Sequence, residues 1–137
     1  GDEEPEHSSL LKGSDPAFLE RLSDRLSKLV FFDGQTVLSE GAEGRVALIV
    51  QAGTCVVEAG GRQLGTAVPG DVVGEAVLLG VASAYTSTVR ASSTVIAFLI
   101  DVKNMSDVLR NFPAEKVRLQ DALRRRTTSK SQAAETS

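Results

Sequence analysis

Residues 70–79 read GDVVGEAVLL, and residues 86–91 a few positions later read TSTVRA. In the first stretch a glycine and an acid end an apolar strand, and a short apolar helical turn begins directly after Gly74. The β-branched residues of the second stretch indicate a return to a strand. Such a turn gathers backbone N–H groups and the Glu75 carboxylate around a small cavity. It is consistent either with a ligand grip or with a barrel corner where the glycine only makes the bend.

Short apolar segments separated by glycine-containing turns surround these two stretches. Gly60 and Gly61 lie between two such segments and predict a β-hairpin. Many short strands at even spacing predict a small antiparallel barrel or jelly roll. The predicted strands are residues 30–32, 36–38, 46–50, 54–58, 62–67, 71–73, 86–91 and 94–100.

Helices are predicted on both sides of the strands. Asp15 and Pro16 are typical of a helix start, since an N-cap oxygen is followed by proline in the first turn. Apolar residues at helical spacing extend this helix to about Lys28. Two further helices, 102–111 and 114–126, are separated by Pro113, which ends the first and opens the second. The apolar positions of the first helix are Phe18, Leu19, Leu22, Leu26 and Leu29, and those of the last are Val117, Leu119, Ala122 and Leu123.

The composition indicates one folded unit with polar ends. Residues 1–13 are predicted to form a flexible tail, 14–126 the domain and 127–137 a flexible linker. The chain has 137 residues, 42% of them hydrophobic, which is enough for a sizeable core. A start at Gly1 rather than methionine suggests a piece of a longer protein.

Charge argues against a nucleic-acid partner, and the apolar runs are too short for a membrane span. The net charge is −3, whereas a nucleic-acid binder carries a basic face. The basic cluster 124–126 is interpreted as lying at a helix C-terminus, where cations interact favourably with the dipole, or on a solvated face. No run of about 18 apolar residues appears, so no membrane-spanning helix is expected.

The residues that usually carry catalysis are scarce. The single cysteine, Cys55, lies in an apolar run and is interpreted as a small buried hydrophobe, which is compatible with a cytosolic location. The single histidine, His7, lies in the polar tail and is expected to be solvated. With no nucleophile beside a base and no metal-ligand spacing, neither an enzyme nor a metal site is predicted.

The order of these elements resembles the cyclic nucleotide-binding domain family, which includes protein kinase A regulatory subunits, bacterial catabolite activators and the C-terminal domains of cyclic nucleotide-gated channels. The resemblance covers roughly residues 10–126 and is strongest over 70–78, which is similar to the family's phosphate-binding cassette, and over 88–91. It implies a mainly β fold, an antiparallel jelly-roll barrel with one N-terminal helix and two C-terminal helices. It also implies that the C-terminal helix is a lid over the ligand, although ordinary helix packing would explain the same pattern.

The resemblance also implies a ligand pocket, whose candidate residues here are Val73, Gly74, Glu75, Ala76, Val77, Tyr85, Thr86 and Ser87. In the family the cassette glutamate accepts hydrogen bonds from the ribose 2′-hydroxyl, backbone N–H groups hold the phosphate, and an arginine pairs with its charge. Glu75 matches the glutamate. The arginine is missing, because its position falls on Tyr85 or, counted without a gap, on Ala84. Arg90 lies an odd number of positions after Tyr85 on the same strand, so it is expected to face outward.

These observations predict a regulatory domain of a larger protein that binds cyclic AMP or cyclic GMP weakly or not at all and serves as an interaction module. The alternative is a genuine sensor of a cyclic nucleotide or of a neutral ribose-bearing nucleoside held by Glu75. The expected partners are such a nucleotide-like ligand and other domains of the parent protein, in the cytoplasm. No resident cofactor is expected.

Overall fold

Two four-stranded antiparallel sheets form the centre of the molecule. The structure is a computed structural model that describes the backbone of residues 10–136 and the side chains of residues 10–125. The strands are β1 (Ser27–Phe31), β2 (Thr36–Leu38), β3 (Val46–Ala52), β4 (Cys55–Ala59), β5 (Arg62–Ala67), β6 (Val72–Val73), β7 (Thr88–Ala91) and β8 (Val95–Asp101). The helices are α1 (Pro16–Ser23), α2 (Glu75–Leu78), α3 (Val102–Leu109) and α4 (Pro113–Thr136).

The strand order confirms the predicted jelly-roll barrel. One sheet has the order β1-β8-β3-β6 and the other β2-β7-β4-β5, so chain neighbours are often separated in space. β4 and β5 form the predicted hairpin, with Ala59 opposite Arg62 across the two-residue turn. Gly60 and Gly61 both have positive φ, 59° and 79°, which the tight hairpin turn requires.

The two sheets enclose one hydrophobic core, and the helices build a second. The core inside the barrel contains Cys55, which is 1% exposed, and burial raises the pKa of its thiol. This agrees with its interpretation as a small buried hydrophobe. The second core lies where the helices cover one sheet, and its fully buried members include Phe18, Ile100, Met105 and Leu119.

The N-terminal helix is shorter than its apolar spacing predicts. The Asp15 carboxylate accepts a hydrogen bond from the Ala17 N–H and caps α1 as expected. The predicted end at about Lys28 is wrong, because α1 ends at Ser23. The Ser23 hydroxyl donates a hydrogen bond to the Glu20 carbonyl, and serine side chains that bond the nearby backbone in this way compete with helix continuation. Leu29 consequently belongs to β1 and packs against the barrel core.

The last residues of the predicted tail contact the helical core. Residues 10–13 form a turn, and Leu10 is 3% exposed in the helical core, so the ordered part begins before Ser14. The Leu10 side chain belongs to the same core as Phe18 and Leu22 of α1. The polar composition of residues 1–9 gave no indication of this packing. Residues 1–9, with His7, lie outside the described residues.

The last helix runs ten residues past the predicted end at Arg126, to Thr136. Residues 127–136 contain no glycine or proline, and several are good helix formers, so polarity alone did not indicate a loop. The basic cluster 124–126 therefore does not lie at a helix C-terminus, and the dipole interpretation is wrong.

The packed face of α4 differs in one residue from the predicted one. Val117 is 59% exposed, whereas Leu119 and Leu123 are buried, so Val117 is not on the packed face. In the described part of the chain, no helix is long and apolar enough to cross a membrane.

A buried polar cluster joins the start of α4 to the start of α1. Glu115 is 8% exposed, and its carboxylate accepts hydrogen bonds from the Asp15 N–H and from the Arg118 guanidinium, which also contacts the Ser14 hydroxyl. Burial alone would raise the pKa of Glu115. The hydrogen bonds and the charge of Arg118 outweigh burial and hold the pKa below its ordinary value.

We expect Glu115→Gln to lower the free energy of unfolding at neutral pH by about 1–2 kcal/mol, because a charge-assisted pair is broken. A lowered folded-state pKa stabilises the fold above the unfolded-state pKa, and this stabilisation is lost as the pH falls through the folded-state value. Urea titrations from neutral to acidic pH should therefore show a smaller acid-dependent loss in the variant. The control is Glu43→Gln, since Glu43 and its partner Arg45 are mostly exposed. Equal acid dependence in wild type and Glu115→Gln would contradict the assignment.

Candidate ligand-binding site

A cavity of about 850 Å³ opens between the inner face of the β2-β7-β4-β5 sheet, the segment from β6 to residue 87, and helix α4. All eight residues proposed from the sequence line it: Val73, Gly74, Glu75, Ala76, Val77, Tyr85, Thr86 and Ser87. Further lining residues, not proposed from the sequence, are Leu38, Val57, Leu64, Thr66, Ala67, Asp71, Val72, Val81, Ala82, Val89, Gln120, Leu123 and Arg124. The structure thus brings the proposed residues together around one space large enough for a small molecule.

Two glycines set the position of α2 at the cavity wall. Gly74 caps α2 in the left-handed region, with φ 86°, and a Cβ there would lie 3.3 Å from the Ala47 Cα. Gly44 has no room for a side chain because Val77 occupies that space. The backbone of α2 therefore lies directly against the barrel, with Glu75 in its first turn.

The first turn of α2 carries backbone donors beside the Glu75 carboxylate. The N–H groups of Leu78 and Leu79 bond the carbonyls of Gly74 and Glu75, as the helix requires. Within residues 10–136, no acceptor is found for the N–H groups of Ala76 and Val77, both of which line the cavity. Orphan donors of this kind are available to an acceptor group on a ligand.

The segment before β7 is tied to the barrel through its backbone and through Tyr85. The Tyr85 N–H bonds the Ala42 carbonyl at 3.0 Å, and the Gly41 N–H bonds the Tyr85 carbonyl at 2.8 Å. The Tyr85 hydroxyl donates to the Val46 carbonyl at 2.7 Å and accepts from the Val46 N–H at 3.3 Å. Tyr85 therefore lines the cavity while its hydroxyl is hydrogen-bonded to the first residue of β3.

Arg90 faces away from the cavity, as its position on the strand predicts. Val89 lines the cavity, whereas Arg90 lies on the outer face and pairs with Glu58 at 3.0 Å. No residue between Glu75 and Arg90 in the sequence is a lysine or an arginine. The cassette segment thus supplies a carboxylate, hydroxyls and backbone donors to the cavity.

Helix α4, which the resemblance implies to be a lid, forms a wall of the cavity, although none of its residues was among the proposed site residues. Gln120, Leu123 and Arg124 recur at helical spacing and line the cavity together. The Gln120 side chain donates to the Leu79 carbonyl at 3.2 Å, which fixes α4 against the end of α2. The i, i+3, i+4 spacing was a detectable signal, but the interpretation of 124–126 as a helix end concealed it.

The fold agrees with comparisons with known proteins. A family model described as the cyclic nucleotide-binding domain matches residues 28–112, more than half of the 137-residue chain. The chain belongs to the cyclic nucleotide-binding domain family. No curated protein sequence gave a significant match.

Solved structures show the same fold at low sequence identity. A cAMP-bound PfPKA-R structure matches with TM-score 0.77 and 24% identity over 95% of this chain and 43% of that chain. Thermus thermophilus catabolite activator protein matches with TM-score 0.79 and 19% identity over 93% and 62%. The C-linker/CNBHD of zELK channels, crystallised in the presence of cAMP, matches with TM-score 0.72 and 18% identity over 91% and 64%. This cyclic nucleotide-binding domain therefore spans less than two thirds of each of these three chains.

We expect Tyr85→Phe to lower the free energy of unfolding by about 1–2 kcal/mol, since both backbone groups of Val46 lose a partner. Hydrogen exchange should quicken at residues 83–87 and at Val46 in the variant. The control is Thr86→Val, which changes an exposed cavity residue beside Tyr85 and should alter stability by less than about 0.5 kcal/mol. Unchanged stability and exchange in Tyr85→Phe would show that the hydroxyl does not hold the segment.

Proposed function

We propose that this cyclic nucleotide-binding domain is a regulatory module of a larger protein that binds cyclic AMP and cyclic GMP only weakly. Its main role is then to contact other domains of that protein, and we place it in the cytosol. No catalytic role is proposed. Two observations favour this function. The domain has the family fold and a cavity, and no lysine or arginine occurs between Glu75 and Arg90.

The commitment of Tyr85 to Val46 is the observation that carries the proposal. At Tyr85, one of the two positions that the resemblance assigns to the cassette arginine, the chain has a hydroxyl already bonded to the barrel backbone. A cyclic phosphodiester stays charged at physiological pH, and burying its charge requires strong donors. Removing one partner of a buried charged pair typically costs roughly 2–5 kcal/mol. That corresponds to about 30-fold to several-thousand-fold in affinity.

We expect both cyclic AMP and cyclic GMP to bind the isolated chain with dissociation constants weaker than about 100 µM, because the cassette cation is missing. Isothermal titration calorimetry and ¹⁵N NMR titration into the millimolar range would measure them. AMP is a suitable control, since it shares the base and ribose but not the cyclic phosphate. Low-micromolar binding of either cyclic nucleotide would contradict the proposal.

A second candidate function is recognition of a neutral ribose-bearing ligand. The observation that favours it is the placement of Glu75 together with the hydroxyl-bearing Thr66, Thr86 and Ser87 around the same cavity. A carboxylate accepts hydrogen bonds from a ribose diol without requiring a counter-ion on the ligand. Asp71 also lines the cavity, so the segment from residue 71 to 87 contributes two carboxylates and no cation, which favours a neutral ligand over an anionic one.

If this candidate is right, adenosine or guanosine should bind more tightly than the corresponding cyclic nucleotide, and Glu75→Gln should weaken nucleoside binding at least tenfold by removing the charged acceptor. NMR titration of both proteins would measure this. The matched control is Glu43→Gln, a glutamate outside the cavity lining. Equal nucleoside binding by wild type and Glu75→Gln would argue against this function.

A further inference from the structure

We propose that Arg124 on helix α4 is the residue that contacts the negative charge of an anionic ligand in this cavity, so that ligand charge is sensed by the helix rather than by the barrel. The inference rests on the proposed function only in taking this cavity as the ligand site. Within the described side chains, residues 10–125, Arg124 is the one lysine or arginine that lines the cavity.

The packing of α4 determines where Arg124 lies. Leu123, the preceding residue, is 9% exposed and belongs to the core between the helices and the barrel. Gln120, one turn earlier, is hydrogen-bonded to the carbonyl of Leu79 at the end of α2. With these two contacts holding the helix, the residue four positions after Gln120 is directed to the same cavity. Arg124 therefore lies at the cavity wall only while α4 is docked.

One partner of Arg124, the Asp121 carboxylate, is of a kind with which an anionic ligand can compete. Its guanidinium contacts the Asp121 carboxylate at 2.8 Å, and the two side chains are 72% and 43% exposed. Exposed ion pairs one helical turn apart are weak, because water solvates both charges well. A phosphate in the cavity offers the same guanidinium a second anionic partner. The arginine side chain is long and flexible enough to contact either the Asp121 carboxylate or a phosphate in the cavity.

This arrangement makes the effect of a ligand on α4 depend on its charge. An anion bound in the cavity gains from Arg124 only when α4 is docked, so it stabilises the docked helix by linkage. A neutral ligand in the same cavity lacks this interaction. An arginine on the cassette would instead hold the charge to the barrel and leave α4 to respond through apolar contacts alone.

The test uses the full chain, with cyclic AMP as the anionic probe and adenosine as the neutral one. Four variants are compared with wild type by ¹⁵N NMR titration: Arg124→Gln, Asp121→Asn, the double variant, and the control Arg125→Gln. Replacing Arg125 makes the same change in net charge as replacing Arg124. Arg125 is exposed, adjacent in sequence and outside the cavity lining, so this control separates a local contact from a general charge effect. Circular dichroism and thermal melting establish that each variant is folded.

Arg124→Gln should weaken cyclic AMP binding about three- to tenfold, between the effect of an exposed ion pair and that of a hydrogen bond to a charged group. Its effect on adenosine should be at least threefold smaller, and Arg125→Gln should leave cyclic AMP binding within a factor of about 1.5. Asp121→Asn should tighten cyclic AMP binding about twofold by removing the competing carboxylate. That gain should disappear in the double variant, because the two substitutions act on one interaction.

Several outcomes would overturn the inference. Equal losses in Arg124→Gln and Arg125→Gln would show only a general effect of net charge. If Asp121→Asn tightens cyclic AMP binding as much in the double variant as alone, Asp121 acts without Arg124. If the wild type binds no cyclic AMP at millimolar concentrations, the cavity has no anionic ligand for Arg124 to contact. Low-micromolar binding by wild type that still depends on Arg124 would contradict the proposed weak affinity while supporting this inference.

Discussion

The position of α2 between two hydrophobic cores is the constraint on which the rest of the structure depends. Val77 packs inside the barrel, whereas Leu78 and Leu79 pack in the helical core. The short α2 segment therefore contributes side chains to both cores and cannot move without disturbing each. Because Gly74 and Gly44 allow α2 to lie directly on the barrel, this contact determines where Glu75 is placed and where α4 can dock.

The same contact explains why one small cavity is bordered by so many separate elements. The inner face of one sheet forms its floor, the segment from β6 to residue 87 forms one wall, and α4 forms another. α4 reaches the cavity because its hydrogen bond to Leu79 and the burial of Leu123 attach it to the far end of α2. Any change in how α2 packs is therefore felt by the ligand site and by α4 together. The fold thus couples the site to the helix through packing, and Arg124 adds charge to that coupling.

Tyr85 is held by the barrel through its side chain. Its hydroxyl is hydrogen-bonded to both backbone groups of Val46. The segment is consequently held by the protein's own hydrogen bonds. The Tyr85 hydroxyl thus serves structural stability, while its side chain also lines the cavity.

The sequence by itself determined the elements whose patterns are local. Strand periodicity, the Gly60-Gly61 turn and the Asp15 cap depend on neighbours a few residues apart, and the eight residues that the resemblance singled out line one cavity. Local patterns were less informative at helix ends: apolar spacing continued past Ser23 although the backbone did not, and polar composition after Arg126 concealed a helix without a breaker. Only the tertiary structure decided that Leu10 is buried, that Tyr85 bonds Val46 and that Arg124 lines the cavity. Each of these depends on residues far apart in the chain being brought together by packing. A periodicity within one segment shows which residues share a face, but not what that face contacts.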